Sequence, residues 1–206
     1  EEALPVYMDV RNRQERPNVA IVFVIDKSGS MNACHCSGPN PALSQSIEGG
    51  TPKIDIAKDA VVQASALLGE QDSIGVVAFN EGAQWALPVT HDANPNQVLE
   101  AVTPLLPDGQ TDVRVGLGAA EEALLRTDAK IKHVILLTDG WSRGGDNLDV
   151  VQRMRDEGIT TSVVGAGAGS AEYLADMAAT GSGRYYPTVT MDEVPQIFVQ
   201  ETITAV

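Results

Sequence analysis

Hydrophobic and polar positions along the chain follow two alternating patterns. The first is an unbroken apolar run of strand length. Val19-Ala20-Ile21-Val22-Phe23-Val24-Ile25, Ser73 to Phe79 and Lys132 to Thr138 (with His133-Val134-Ile135-Leu136-Leu137) are of this kind. Such runs predict strands buried on both faces, as in the middle of a parallel sheet. The second is a period of 3.6. Between Lys53 and Leu68, residues Ala57, Ala60, Val61, Ala64, Leu67 and Leu68 fall on one face, which predicts an amphipathic helix. Thr51 is placed to cap it, with Pro52 at its first position.

Further helices are expected over Pro95–Leu105, Asp112–Arg126, Asn147–Glu157, Ala171–Ala179 and Val194–Glu201. Ile159–Val164 and Gly183–Tyr186 read as strands. Trp85–Thr90 follows Phe79 after a connection too short for a crossover, so it should pair antiparallel as a hairpin. The order β-α-β-β-α-α-β-α-β-α-β-α predicts an α/β fold. It is a doubly wound, mostly parallel central sheet with one antiparallel edge strand and helices on both faces. One domain over residues 19–206 is expected, preceded by a segment 1–18 that reads either as a linker or as an edge segment, with Leu4–Val10 as an added edge strand. Asn32–Gly50 is irregular and long for a connection inside a compact domain, a length often associated with function.

In a sheet of this kind, ligands sit beyond the carboxyl ends of the strands. Asp26-Lys27-Ser28-Gly29-Ser30-Met31 follows the first strand, Thr138-Asp139-Gly140 ends the third, and Gly109-Gln110-Thr111-Asp112 opens a helix. Together they offer two carboxylates and three hydroxyls, with no thiolate or imidazole. Oxygen-only donors suit Mg²⁺ or Mn²⁺, and less strictly Ca²⁺. Two carboxylates around one divalent ion leave its surroundings near neutral, with positions open for an acidic oxygen from outside. His35, Asn80, Glu81, Gln110, Arg114, Trp141 and Arg143 are candidates for the face around it. Trp141 reads either as a contact anchor or as local packing.

The charge balance is compatible with cation binding, and equally with a merely solvated acidic surface. Fourteen basic against 28 acidic residues give a net charge of −14 among 206 residues. That balance argues against phosphate backbones and anionic lipid as partners and leans towards a monomer. No apolar run reaches the 18 residues of a membrane span. The chain starts Glu1-Glu2-Ala3 without an initiator Met, so it is expected to be a piece of a longer protein.

Asp26-x-Ser28-x-Ser30 with Thr111 and Asp139 resembles the metal-ion-dependent adhesion site (MIDAS) of von Willebrand factor type A domains. The resemblance runs from about Val19 to Ala205. It implies that Ser28, Ser30 and Thr111 bind the metal directly and that Asp26 and Asp139 act mainly through water. It also implies that an Asp or Glu of a protein partner completes the coordination. Many members carry Gly-Gly before the threonine; Gly109-Gln110 departs from this, and the Gln110 side chain either shades the metal or contacts the ligand. The Asp-Lys-Ser-Gly-Ser-Met and Thr-Asp-Gly-Trp strings are similar to those of large membrane-anchored bacterial proteins, which implies such a parent; the residues themselves do not give a location.

Other motifs carry less. Cys34-His35-Cys36 offers soft ligands but lacks the second pair a structural zinc site needs, and a Cys34–Cys36 disulfide would close a strained ring. Gly165-Ala166-Gly167-Ala168-Gly169 is not preceded by the first strand and lacks the lysine of a phosphate loop. The leading expectation is therefore a cation-dependent binding module and not an enzyme. A metal-assisted hydrolase or phosphotransferase is the first alternative, with no residue standing out as base or nucleophile. A scaffold with a non-essential metal site is the second.

Overall fold

In a computed structural model, residues 16–35, 50–140, 142, 145, 147–166, 171–188 and 190–205 are described. The apolar run of β1 (Val19–Asp26) is buried at every position, as its lack of alternation requires. It lies between β4 (Ser73–Phe79) and β6 (Ile131–Thr138), parallel to both. Beyond β6 come β7 (Ile159–Ala166) and β8 (Ser182–Thr188), also parallel. β5 (Ala83–His91) pairs antiparallel with β4 and forms the opposite edge. The sheet order is β5-β4-β1-β6-β7-β8. The chain thus builds outward on one side of β1 and then crosses to the other, so a crevice opens beyond the carboxyl ends of β1 and β6.

Successive residues of β1 feed two cores. Val19, Ile21, Phe23 and Ile25 face α1 (Lys53–Ser65), α2 (Pro95–Val102) and α6 (Val194–Ala205). Ala20, Val22 and Val24 face α3 (Val113–Leu125), α4 (Leu148–Asp156) and α5 (Ala171–Thr180). Phe23 stacks on Phe198 of α6 with ring centroids 5.3 Å apart. At Gly116 of α3 an added Cβ would lie 2.8 Å from both Phe79 and Val24, so glycine lets this helix sit directly on the sheet. The predicted α/β architecture and its antiparallel edge strand are both present.

Boundaries differ in instructive ways. α1 ends at Ser65, not Leu68, and α6 runs on to Ala205. Thr51 does not cap α1. The N-cap position falls on Pro52 without a side-chain hydrogen bond, because Thr51–Pro52 (β3) is drawn into an antiparallel pair with Cys34–His35 (β2). The expected strand at Leu4–Val10 lies outside the described residues.

Two buried carboxylates tie the far side of the sheet. Asp72 accepts from the Val19 amide at 3.0 Å, the Gly69 amide at 2.8 Å and Arg16 Nη1 at 3.1 Å. Burial alone would raise it, but Arg16 and the two amides bring it below the usual carboxylate range. Glu201, on α6, accepts from Ser162 Oγ, Arg184 Nη1 and Tyr186 Oη. His133 Nε2 stands 3.2 Å from its Oε1 without the alignment of a hydrogen bond. Burial would push Glu201 up; His133, Ser162 and Tyr186 outweigh it and hold the carboxyl at about 2.

Candidate metal centre

Asp26 is the last residue of β1 and has no solvent exposure. Its Oδ1 accepts the Ser28 amide at 2.8 Å and its Oδ2 accepts Thr138 Oγ1, from the end of β6, at 2.7 Å. Burial pushes this carboxyl above its ordinary range, the hydrogen bonds from Ser28 and Thr138 oppose that, and the charge of Asp139 adds to the rise. A buried carboxylate so placed gains from a nearby cation.

The chain then makes one 3₁₀ turn, Gly29–Asn32. Met31 is fully buried in the core under α1 and anchors the turn. That leaves Ser28 Oγ and Ser30 Oγ 3.0 Å apart. Ser30 Oγ donates to Asp139 Oδ1 at 2.7 Å. The oxygens of Ser28, Ser30 and Asp139 therefore form a continuous row, with the Asp26 carboxylate behind it.

The remaining side is set by the segment before α3. The Asp108 amide donates to Lys27 O at 2.8 Å, the Gly29 amide to Gly109 O at 3.0 Å, and the Asp112 amide to Asn80 O at 2.8 Å. Gly109 has a φ of +70°, and a Cβ there would stand 3.0 Å from Asn80 Nδ2, so both its backbone and its neighbour favour glycine. Lys27 directs its ammonium away from Asp26 and onto Asp108, which lowers the Asp108 carboxyl. Asp112 caps α3 by accepting the Arg114 amide at 3.0 Å. Thr111 is held at the same edge and is half-buried. Ser142 Oγ accepts the Val113 amide at 3.0 Å, which joins the segment after β6 to the start of α3.

One residue at this centre escaped the sequence reading. Lys53, the first residue of α1, donates its ammonium to Asp139 Oδ2 at 2.7 Å. The Asp139 side chain is only 2% exposed. The β2–β3 pair and the bond from the Lys53 amide to Ala33 O at 3.1 Å bring Lys53 here. No local signal marks the contact, because its partner lies 86 positions on.

The face residues have mixed placements. Asn80 is spent on structure: its Nδ2 donates to Asp108 Oδ1 at 2.7 Å and its Oδ1 accepts the Gly82 amide at 3.1 Å. Gln110 and Glu81 are exposed beside the centre. Arg114 forms a two-pronged pair with Asp149 of α4, with Nη1 2.9 Å from Oδ1. His35 contributes backbone to β2. Its side chain, Trp141, Arg143 and Cys36 lie outside the described residues. Leu106, three positions before Gly109, is 73% exposed.

The donors fit a hard divalent cation. The Asp26 and Asp139 carboxylates both accept hydrogen bonds from the segment that carries the Ser28 and Ser30 hydroxyls, and Lys53 already shows the centre attracting positive charge. No group of three or more His, Cys, Asp or Glu side chains converges among the described residues.

A family model for the von Willebrand factor type A domain matches residues 20–200. The chain belongs to this family. Among curated relatives, the type A domain is 30% identical to the uncharacterized protein YwmC of Bacillus subtilis, covering 90% of this chain and 83% of that protein. It is 26% identical to the uncharacterized protein YfbK of Escherichia coli, covering 93% of this chain but only 32% of YfbK. Two solved structures share the fold. An aerotolerance-related membrane protein from Bacteroides fragilis superposes with a TM-score of 0.69 at 16% identity, over 91% of this chain and 100% of that one. Proximal thread matrix protein 1 from the mussel byssus, with a zinc-occupied MIDAS motif, gives 0.72 at 20% identity, over 92% of this chain and 46% of that one.

Proposed function

We propose that this type A domain is a divalent-cation-dependent protein-binding module. Its centre grips an Asp or Glu carboxylate of a protein partner. The observation that carries the reading is the row Ser28 Oγ, Ser30 Oγ and Asp139 Oδ1 set against buried Asp26 at the carboxyl edge of the sheet. Ser28, Ser30 and Thr111 would hold the cation, with Asp26 and Asp139 supplying the compensating charge. When bound, the cation supplies a positive centre with coordination open to an acidic oxygen. Mg²⁺ is the proposed ion, with Mn²⁺ or Ca²⁺ as substitutes. The zinc in the MIDAS motif of the mussel protein makes Zn²⁺ a necessary comparison.

The role is binding and not catalysis. Lys27, beside Asp26, is committed to Asp108, and Ser28, Ser30, Asp139 and Lys53 bond to one another. The net charge of −14 supports a monomer without nucleic-acid partners. Likeness to a membrane protein supports a parent anchored at a bacterial membrane. No helix among the described residues is long and apolar enough to cross one.

The test is calorimetric titration of the metal-stripped domain with Mg²⁺, Mn²⁺, Ca²⁺ and Zn²⁺. One ion per chain is expected for wild type, with binding abolished in Asp26→Ala and Asp139→Ala. Unchanged affinity in both variants would overturn the reading. A phosphatase assay showing Mg²⁺-dependent turnover would overturn the assignment as a non-enzyme.

A further inference from the structure

We infer that Lys53 is a built-in counter-cation that competes with the metal for Asp139, so that loading the centre requires its ammonium to leave. The inference rests on the metal-binding reading above and specifies what limits the affinity of that centre.

Three observations carry it. The Lys53 ammonium bonds Asp139 Oδ2 at 2.7 Å while Ser30 holds Oδ1 at 2.7 Å, so both oxygens of this carboxylate have a partner. The Asp139 side chain is nearly sealed from solvent, whereas that of Lys53 is 23% exposed. The carboxylate therefore needs a positive partner nearby, and the lysine has an open path to water. Lys53 also starts α1, the end of a helix where a cation is disfavoured by the exposed amides. Asp55 in the first turn is engaged by Lys58 at 3.0 Å, which leaves Asp139 as the carboxylate paired with Lys53. Two positive charges sharing one buried carboxylate repel each other strongly, so ammonium and metal are alternatives.

The β2–β3 pair makes the device specific. It holds the start of α1 against the turn that carries Ser30. Lys53 is thus tethered at a fixed distance and acts at high effective concentration. Its stem is long enough to move the charge into solvent without moving α1.

The experiment compares wild type, Lys53→Met, Lys53→Gln and Lys53→Arg, each stripped of metal and titrated with Mn²⁺ and Mg²⁺ by calorimetry. Thermal melting is followed with and without the ion. Lys53→Met and Lys53→Gln are expected to bind about tenfold more tightly, equivalent to about 1.4 kcal/mol. Lys53→Arg should stay near wild type. Without metal, the Met and Gln variants should melt about 3 °C lower, because Asp139 has lost its counter-ion, and should gain more from added ion. Equal or weaker metal affinity in the Met and Gln variants, alongside normal binding by wild type, overturns the role of Lys53 and leaves the metal centre intact. Absence of binding in every variant and in wild type overturns both.

Discussion

Ser30 Oγ donates to Asp139 Oδ1 at 2.7 Å, across 109 positions of sequence. This bond joins the turn after β1 to the end of β6, the two segments that border the crevice at the crossover of the sheet. Ser30→Ala removes the link and one donor together. We expect metal affinity to fall at least tenfold while the melting temperature changes by less than about 2 °C, since an exposed serine contributes little to stability. Calorimetry and thermal denaturation of one preparation check both halves.

Burial lifts the Asp26 carboxyl above its ordinary range, so its charged form is disfavoured in the metal-free fold. Asp26→Asn keeps an acceptor for the Ser28 amide and offers an amide to Thr138, whose hydroxyl rotates to accept it. It removes an ionisable group whose charged form is disfavoured by burial and by the charge of Asp139. The metal-free variant is expected to be as stable as wild type or about 1 kcal/mol more stable, yet unable to bind the ion. Denaturant melts of the stripped proteins would show it. A loss of more than about 2 kcal/mol would mean that the charge itself supports the fold.

Acid should loosen α6. Glu201 is held at about 2 in the fold against an ordinary value near 4.3. A depressed carboxyl contributes stability that is complete above its unfolded value and disappears as pH falls through its folded one. The window is therefore about pH 4.5 down to 2, and the contribution is about 3 kcal/mol. Asp72, shifted in the same direction, reinforces it. Glu201→Gln should be less stable than wild type at pH 7 and should lose less further stability between pH 5 and 3, as measured by urea titrations at fixed pH.

Gly109→Ala tests the support of Thr111. The positive φ and the closeness of Asn80 both oppose a side chain there, at a combined cost of about 1–3 kcal/mol. Because this segment hangs from Lys27 O and Asn80 O, the strain should appear as displaced Thr111. Metal affinity is expected to drop about tenfold. An unchanged affinity would show that Gly109 does not set the position of Thr111.

The three apolar runs made the centre of the sheet legible, because full burial leaves no polar positions. Asp26, Ser28, Ser30 and Asp139 were legible because they follow those runs directly. The order in which strands pair is a tertiary outcome and left no local trace. Thr51 was expected to cap a helix and instead joins a ladder, since backbone pairing with His35 was available. Arg114 and Asn80 were read as facing a ligand, and both are spent on intramolecular bonds to distant residues. Glu201 did leave a signal: it lies seven positions after Val194 and three after Phe198, both buried. A carboxylate on an apolar stripe announces a buried partner, here supplied by three strands.

The short ladder of Cys34–His35 with Thr51–Pro52 has a consequence for how such domains diversify. It fixes the turn carrying Ser30 against the start of the helix carrying Lys53 by backbone pairing, which does not depend on which side chains those strands carry. Side chains along the two short strands can therefore be exchanged, by recombination or by design, while the placement of Ser30 and Lys53 is kept.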